Sequence, residues 1–401
     1  MGKLDAFVIT FSNPSGVFYA GTVLEGCVTV VLKDSMEMRG IRLTFEGGSH
    51  VSWTETRETG TGDNKSTEHV TYSASEKYFD QEVLLHGIWP SQGRSTTKLP
   101  EGVHTFPFQF HLPPGLPSSF EAGEGNIRYL IKCKIDKPWK HDHKTKRPFT
   151  IIGILDLNSD LTNSQRVQGI KEKRLCCLCC KSGPISVSFH LDQKGFVPGE
   201  VIRPMAEISN GSSRKMNKSF VELKMITTLY AEGSTHVTNK TVARLTRPSI
   251  EGHSEDVWSG EEIVIPPLPP SFLLGCKIID VKYIVQLSVD PAGPAIDLKI
   301  PLDVVIGTIP LMSVVQQRPP MAPVGFDGVS SWPTVPSPDS GIAQYPPNMP
   351  PPSYNESITG RVSIKDTDDE YTHGDLSFAP SYTYYNWGRT PSAMPEPMGK
   401  Q

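Results

Sequence analysis

The sequence predicts an all-β chain: two tandem β-sandwiches followed by a disordered, Pro-rich C-terminal tail. Three observations carry that expectation. Apolar and polar residues alternate strictly and repeatedly through the first 310 residues, as strands do when one face is buried and the other wet. The two halves of that region repeat one another. Beyond Met312 the alternation and the repeat both stop and proline takes over.

In the first half the alternation is clearest at Ile41, Leu43 and Phe45, at Phe106, Phe108, Phe110 and Leu112, and at Ile127, Tyr129, Ile131, Cys133 and Ile135. The second half has Ile185 to Leu191, Val221 to Met225, Val281 to Val289 and Ile296 to Ile306. Turn chemistry separates these runs at Asn13-Pro14, Pro113-Pro114-Gly115 and Pro198-Gly199. Helical spacing is scarce. Short strands between Gly- and Pro-bearing turns are the rhythm of sandwiches, and 36 Pro and 34 Gly in 401 residues fit it.

The repeat aligns I-R-Y-L-I-K-C-K-I-D (Ile127 to Asp136) with V-K-Y-I-V-Q-L-S-V-D (Val281 to Asp290), Tyr129 on Tyr283. A proline-rich bend precedes each copy, L-P-P-G-L-P-S-S-F ending at Phe120 and I-P-P-L-P-P-S-F ending at Phe272. From Gly21 to Tyr129 is 108 positions and from Gly199 to Tyr283 is 84, so the first copy carries about 24 extra residues. The polar stretch Thr54 to Lys65 and its surroundings are expected to hold them as a long exposed loop. The units are placed at 1–156 and 183–312, with a polar, Cys- and Lys-containing connection over 157–182. The tail, 313–401, has 15 Pro in 89 residues and 5 basic against 9 acidic side chains. Such composition buries too little apolar area to offset ordering entropy, so the tail is expected to add nothing to either core.

Charge excludes one class of partner. The chain has 39 Lys plus Arg and 43 Asp plus Glu, a net charge of −4, so nothing attracts nucleic acid in bulk. Met1 to Phe11 has no apolar leader core and no later run reaches 18 apolar residues, which predicts a cytoplasmic protein. Sequons at Asn64, Asn210, Asn217, Asn239 and Asn355 then have no use. Seven cysteines, four of them within five positions, fit reduced thiols rather than a disulfide framework. Gly2 meets only part of the myristoylation rule, since Ala6 stands where Ser or Thr is wanted. None of the nucleophile-elbow, zincin, dinucleotide or P-loop motifs occurs, so the reading is non-enzymatic, with no cofactor.

Three motifs carry chemistry. Pro351, Pro352, Ser353 and Tyr354 form a P-P-x-Y sequence. Consecutive prolines pre-set the polyproline II conformation for the aromatic groove of a WW domain, and the tyrosine fills the adjoining slot. Pro380, Ser381 and Tyr382 make a degenerate second copy without the first proline. Cys176, Cys177, Cys179 and Cys180 follow Lys171, Lys173 and Arg174. Their overlapping C-x-x-C pairs fit half a zinc site, to which His141 and His143 are candidate partners, or S-palmitoylation beside basic residues, or plain packing. Lys137, Lys140, Lys144, Lys146 and Arg147 sit in an eleven-residue basic run with one acid, Asp142. It reads as a solvated loop or as a docking surface for acidic or phosphorylated cargo or anionic lipid.

The chain resembles the α-arrestins, the arrestin domain-containing proteins. The resemblance rests on G-K-L-D-A-F-V-I-T-F at the start, Y-A-G-T-V-L-E-G, I-D-K-P-W-K, L-C-C-L-C-C-K-S-G-P-I-S-V-S from Leu175, G-F-V-P-G-E, S-F-L-L-G-C-K-I-I-D-V-K-Y and P-L-D-V-V-I-G-T-I-P, in that order. It covers about 310 residues and implies two arrestin-like sandwiches. It further implies an adaptor that offers Pro351, Pro352 and Tyr354 to WW domains of HECT-type E3 ubiquitin ligases. The cargo would be cytoplasmic regions of membrane receptors or transporters, with recruitment to plasma membrane and endosomes. Two other readings stand beside it, a ligase-independent trafficking scaffold like the arrestin-fold retromer subunit and a thioredoxin-linked redox regulator. For the latter, Cys27, Cys133 and Cys276 lie in or near strand patterns and look buried.

Overall fold

Strand formation follows the parity of the apolar positions. Ile127, Tyr129, Ile131, Cys133 and Ile135 are each at most 1% exposed, while the residues between them reach solvent. The computed structural model describes residues 3–59, 65–93, 95–138, 141–175, 183–321, 353–365 and 371–388.

The first unit contains β1 (Leu4–Phe11), β2 (Val17–Tyr19), β3 (Val23–Leu32), β4 (Met36–Met38), β5 (Gly40–Thr59), β6 (Ser66–Gly87), β7 (Thr97–Leu99), β8 (Gly102–His111), β9 (Phe120–Glu121), β10 (Gly125–Asp136) and β11 (His143–Ile152). A sheet in the order β1-β3-β8 faces one in the order β2-β11-β10-β5-β6. The core between them is aromatic. Phe45 stacks on Phe110 at 4.4 Å, and Phe11, Phe18 and Phe149 meet edge to face. In register, Tyr129 of β10 lies opposite Gly47 of β5. A Cβ on Gly47 would stand 2.7 Å from the Tyr129 ring and 2.6 Å from that of Phe79, so glycine is what lets the rings close over the strand.

The second unit contains β12 (Val167–Lys173), β13 (Ile185–Leu191), β14 (Gly195–Phe196), β15 (Val201–Ile202), β16 (Met205–Asn210), β17 (Met216–Ala231), β18 (Ser234–Arg247), β19 (Ser254–Trp258), β20 (Ile263–Val264), β21 (Ile279–Pro291) and β22 (Leu298–Ile306). The sheets run β12-β13-β16-β19 and β14-β22-β21-β17-β18. Trp258 is buried between them and its indole N–H donates to Ser219 Oγ at 3.1 Å.

The duplication extends to single bonds. The Tyr129 hydroxyl donates to the Pro117 carbonyl at 2.7 Å, and the Tyr283 hydroxyl to the Pro269 carbonyl at 2.8 Å. Ser119 Oγ accepts from the Ile151 N–H at 3.0 Å, and Ser271 Oγ from that of Ile306 at 2.9 Å. Each proline bend is thereby bolted to the central strand beside it and to the next strand in its sheet. The units also bond each other: Glu76 accepts from the Lys277 N–H at 3.0 Å, Glu232 from the Ser73 N–H at 3.2 Å, and Thr308 Oγ1 from the Leu155 N–H at 2.8 Å.

Three expectations change. The extra residues of the first unit are not an exposed loop. They extend the β5–β6 hairpin, paired as far as Thr59 with Ser66. The polar run holds strand geometry because cross-strand bonds satisfy its backbone and Trp53 and Tyr72, buried and stacked at 5.5 Å, give it an apolar face. That face reaches the second unit, where His236 lies 5.6 Å from Trp53. Within the 157–182 connection, Val167 to Lys173 is strand β12, paired along β13 from Val167 with Leu191 to Lys173 with Ile185.

The third change concerns the tail's contribution to the cores. A short helix, α1 (Met312–Gln317), follows the second unit. Strands β23 (Ser353–Glu356), β24 (Val362–Ser363), β25 (Thr372–Gly374), β26 (Ser377–Phe378) and β27 (Ser381–Tyr384) then lie on the body. Ile364, Phe378, Tyr382, Tyr385 and Trp387 are all buried. An average over the tail's composition hides these side chains. Residues 322–352, 366–370 and 389–401 lie outside the described residues.

Replacing either bolt tyrosine by phenylalanine leaves a buried proline carbonyl without its donor. Tyr129→Phe and Tyr283→Phe should each lower the unfolding free energy by about 1–3 kcal/mol, read from denaturant titration. Equal losses in the two variants are the mark of equivalent bolts.

Candidate functional site

The tyrosine of the P-P-x-Y sequence is on β23, which pairs antiparallel with β27 so that Tyr354 faces Thr383 across the ladder. Ser353 Oγ reinforces the pair by donating to the Tyr384 carbonyl at 3.0 Å. The Tyr354 ring is half-buried against a small apolar cluster of Val17, Tyr19, Ile152 and Ile154. Its hydroxyl lies 3.2 Å from that of Tyr19. Burial and the Tyr19 hydroxyl hold the Tyr354 phenol well above its ordinary pKa, so it stays neutral here. Pro351 and Pro352 lie outside the described residues.

The degenerate copy has a different place. Pro380 is buried, and its carbonyl accepts from the Ser357 N–H at 2.8 Å. Ser381 N–H donates to Thr150 Oγ1 at 3.2 Å. Tyr382 is 2% exposed, and its hydroxyl donates to the Ser119 carbonyl at 2.9 Å, on the first unit's proline bend. Three residues on, the chain crosses to the second unit. The Tyr385 hydroxyl donates to the Thr308 carbonyl at 2.7 Å, and its N–H to the Pro198 carbonyl at 3.1 Å. Gly199 has φ +93°, and a Cβ there would stand 2.1 Å from the Tyr385 carbonyl oxygen, so the tail passes where only glycine fits. Tyr385 and Trp387 pack with Leu157, Val197, Val305 and Leu311. Residues 381–387 are thus a clasp across both sandwiches.

That clasp presses on the turn holding Glu200, 6% exposed, whose carboxylate accepts the Val197 N–H at 2.7 Å. Burial pushes its pKa up to about 8.

The C-terminal half of the basic run, from His143 on, is a strand rather than a solvated loop. Lys144, Lys146 and Arg147 are on β11, and β25 lies parallel along it, Lys144 with Thr372 and Lys146 with Gly374. Lys146 is 4% exposed and its ammonium donates to the Ile364 carbonyl of the tail. Arg147 stacks over Phe11 at 4.5 Å, donates to the Ile9 carbonyl at 2.7 Å and reaches Asp375 at 3.8 Å. Lys137 Nζ lies 2.9 Å from His143 Nε2. Burial, then the charge of Lys137, lowers the His143 pKa. Tyr371 stacks on His141 at 4.5 Å. A groove of about 670 Å³ remains between β1 and the β11–β25 pair, floored by Thr145 and walled by Phe7, Arg147 and Asp375. Lys140 and Cys176, Cys177, Cys179 and Cys180 lie outside the described residues. Among the described residues no group of three His, Cys, Asp or Glu side chains is placed to hold a metal, and no helix is long and apolar enough to cross a membrane.

Sequence reasoning did not find Tyr19, Tyr371, Tyr385 or Trp387. One signal was available: six of the twelve tyrosines fall in the last 89 residues, more than a segment without packing needs.

Comparison with known proteins decides the family. Residues 7–158 match the arrestin (or S-antigen) N-terminal domain and residues 181–311 the C-terminal domain. The chain belongs to the arrestin family. Its relatives are α-arrestins. Arrestin domain-containing protein 17 of Caenorhabditis elegans is 28% identical across 96% of this chain and 100% of its own. Human arrestin domain-containing protein 4 is 30% identical across 86% of this chain and 81% of its own. Rat arrestin domain-containing protein 1 is 28% identical across 91% and 76%. Arrestin-family proteins act as scaffolds and adaptors, and membership suggests a role in trafficking.

Two outcomes follow. Burial raises the thiol pKa of both Cys133 and Cys276 in this arrestin, so neither should be alkylated at neutral pH in the native protein at the rate of the denatured chain, by mass spectrometry of timed labelling. Fast labelling of either would favour the redox regulator. For Glu200, a folded pKa of about 8 lies above the ordinary 4.5 of the free side chain. The folded state therefore holds the extra proton, and stability present below pH 4.5 is lost as pH rises through 8. The slope is at most about 1.4 kcal/mol per pH unit. Glu200→Gln should flatten that decline in denaturant midpoints taken from pH 5 to pH 8.5.

Proposed function

We propose that this arrestin is a non-enzymatic adaptor that brings a ubiquitin ligase to membrane cargo. The observation that carries the reading is the P-P-x-Y sequence, Pro351 to Tyr354, in the tail of a chain whose body is an arrestin pair. Two prolines in polyproline II geometry present a low-entropy ridge to the paired aromatics of a WW domain, and the Tyr354 ring supplies the apolar body and polar tip for the slot beyond. WW domains of HECT-type E3 ligases are the partners of this chemistry. Ubiquitination of the cargo then drives endocytosis and endosomal sorting, at the plasma membrane and endosomes.

Cargo is held by the sandwiches. Lys137, Lys140 and Lys144 are the docking surface for acidic cytoplasmic segments of a receptor or transporter, or for anionic lipid in peripheral membrane association, with Lys146 and Arg147 joining it only if they leave the Ile364 carbonyl and Phe11. The edge geometry of β11 supports this, since it already accepts an extended segment, β25, alongside its basic side chains. Pro380, Ser381 and Tyr382 do not serve as a second ligase motif in this reading, because Tyr382 is committed to the proline bend. One motif engages one WW domain, with no multivalent gain.

A peptide spanning Asn348 to Ser357 should bind isolated HECT-ligase WW domains in the micromolar range by calorimetry, and a Tyr354→Ala peptide should lose most of that affinity. A peptide that binds none of those domains would return Pro351 to Tyr354 to an accident of composition.

A further inference from the structure

An antiparallel sheet that packs on a core with one face carries charged or polar side chains on the other, where water solvates them. The second unit follows that rule: on its β12-β13-β16-β19 sheet the outward positions include Glu172, Glu207, Glu255 and His190. The equivalent face of the first unit does not. In the middle of the β1-β3-β8 sheet Thr29 of β3 stands between Val8 of β1 and Thr105 of β8. The outward rows on either side of it are Ala6, Val31 and Val103, and Thr10, Cys27 and Pro107. All nine side chains are uncharged. Val8 is 47% and Val103 69% exposed, so this largely β-branched face is open to water.

Charge returns at the two ends. The outward positions of β3 run Glu25, Cys27, Thr29, Val31 and then Lys33 just past the strand, which places Glu25 and Lys33 four residues to either side of Thr29. Lys33 continues the ladder by donating its N–H to the Lys3 carbonyl at 2.8 Å, and its ammonium reaches Asp5 at 2.5 Å. Glu25 and Lys33 are both exposed.

An uncharged centre midway between a carboxylate and an ammonium is complementary to itself. Turning a second copy end for end about a two-fold axis through Thr29 lays β3 on β3 in opposite directions. Thr29 then meets its own copy, Cys27 meets Val31, and Glu25 meets Lys33 at two symmetry-related places. The other face-to-face two-fold, along the strands, would set Glu25 on Glu25 and Lys33 on Lys33, so charge selects between them. From Glu25 to Lys33 is about 27 Å at roughly 3.4 Å per residue, and three strands span about 14 Å, so each copy covers on the order of 400 Å². About 800 Å² in total is the size of a transient contact rather than of an obligate dimer.

We propose that this arrestin self-associates, weakly and reversibly, through the outer face of β1-β3-β8, as a two-fold dimer in which Glu25 pairs with Lys33 of the second copy. The association does not depend on the ligase-adaptor reading. On that reading it brings two P-P-x-Y sequences into one particle, the multivalence that a single chain lacks.

The test is sedimentation equilibrium of the full chain from low to high micromolar concentration, on wild type, Glu25→Lys, Lys33→Glu, the double variant that carries both, and Thr29→Arg. Wild type should pass from monomer to dimer with a micromolar dissociation constant, and added salt should weaken the dimer. Each single charge reversal sets like charges together at two places and should weaken association about tenfold. The double variant restores both pairs and should recover most of that loss. Thr29→Arg puts two guanidinium groups on the axis and should leave only monomer. Alkylation of Cys27 should slow as wild-type concentration rises and should stay constant in Thr29→Arg. Thermal melts verify that each variant keeps the fold.

A wild-type chain that stays monomeric at the highest concentration overturns the proposal. A dimer that Thr29→Arg leaves intact also overturns it, since the contact then lies on another surface. A dimer indifferent to the single charge reversals, or not rescued by the double variant, overturns the end-for-end pairing on which the proposal rests.

Discussion

One bond made twice organises this molecule: a buried tyrosine hydroxyl on a central strand donates to a proline carbonyl in the bend that precedes it. A proline-rich bend has few N–H groups with which to join a sheet, so its carbonyls need donors from outside. Tyr129 and Tyr283 supply them from the middle of each core. With the bend pinned, Ser119 and Ser271 are aimed at the backbone of the neighbouring strands, and the Ser119 carbonyl, two residues on from that of Pro117, meets Tyr382. The bolt that closes the first sandwich thus also sets the point where the tail fastens.

What was legible in the sequence and what was not divides along a physical line. Period-two alternation reports burial on one face, and each run read from it, from Ile41 to Ile306, marks a strand, with only Leu112 and the exposed Ile296 falling just outside β8 and β22. Alternation is silent where a strand buries little along its length. Beyond Trp53 and Tyr72 the paired arm, Thr54 to Thr59 against Ser66 to Thr71, is polar apart from Val70, so its pairing is set by cross-strand bonds that no one-strand pattern records. Strand β12 has the same disguise: its Lys171, Glu172 and Lys173 read as linker, yet its backbone completes the edge of β13.

The tail was hidden for a different reason. Composition is an average over 89 residues, and 15 prolines with four surplus acids outweigh in it the few tail residues of 353–365 and 371–388 that pack. Packing is made by particular residues instead. Phe378, Tyr382, Tyr385 and Trp387 fall within ten positions, and all four are buried. The basic run shows a similar gap. Five cations in eleven residues describe a charge, not a location, and on β11 the carbonyl of Ile364 and the ring of Phe11 claim two of those side chains. The candidate site was thus readable as a set of residue types, while the partner each one already holds in the folded chain was not.

The same contacts explain why a docked tail suits an adaptor. Each buried aromatic ring contributes a gain of the same order as the entropy lost in ordering the residues around it. A segment held by a few rings, short ladders and single hydrogen bonds is therefore near balance, unlike the sandwiches, whose cores run through whole sheets. Near balance, a competitor need make only a few better bonds to shift the population. The β11 edge is where the tail is held by least, because β25 is three residues long and pairs only from Lys144 with Thr372 to Lys146 with Gly374. A ligand taking that edge would displace β25, which lies between the strand carrying Tyr354 and the strand that clasps it.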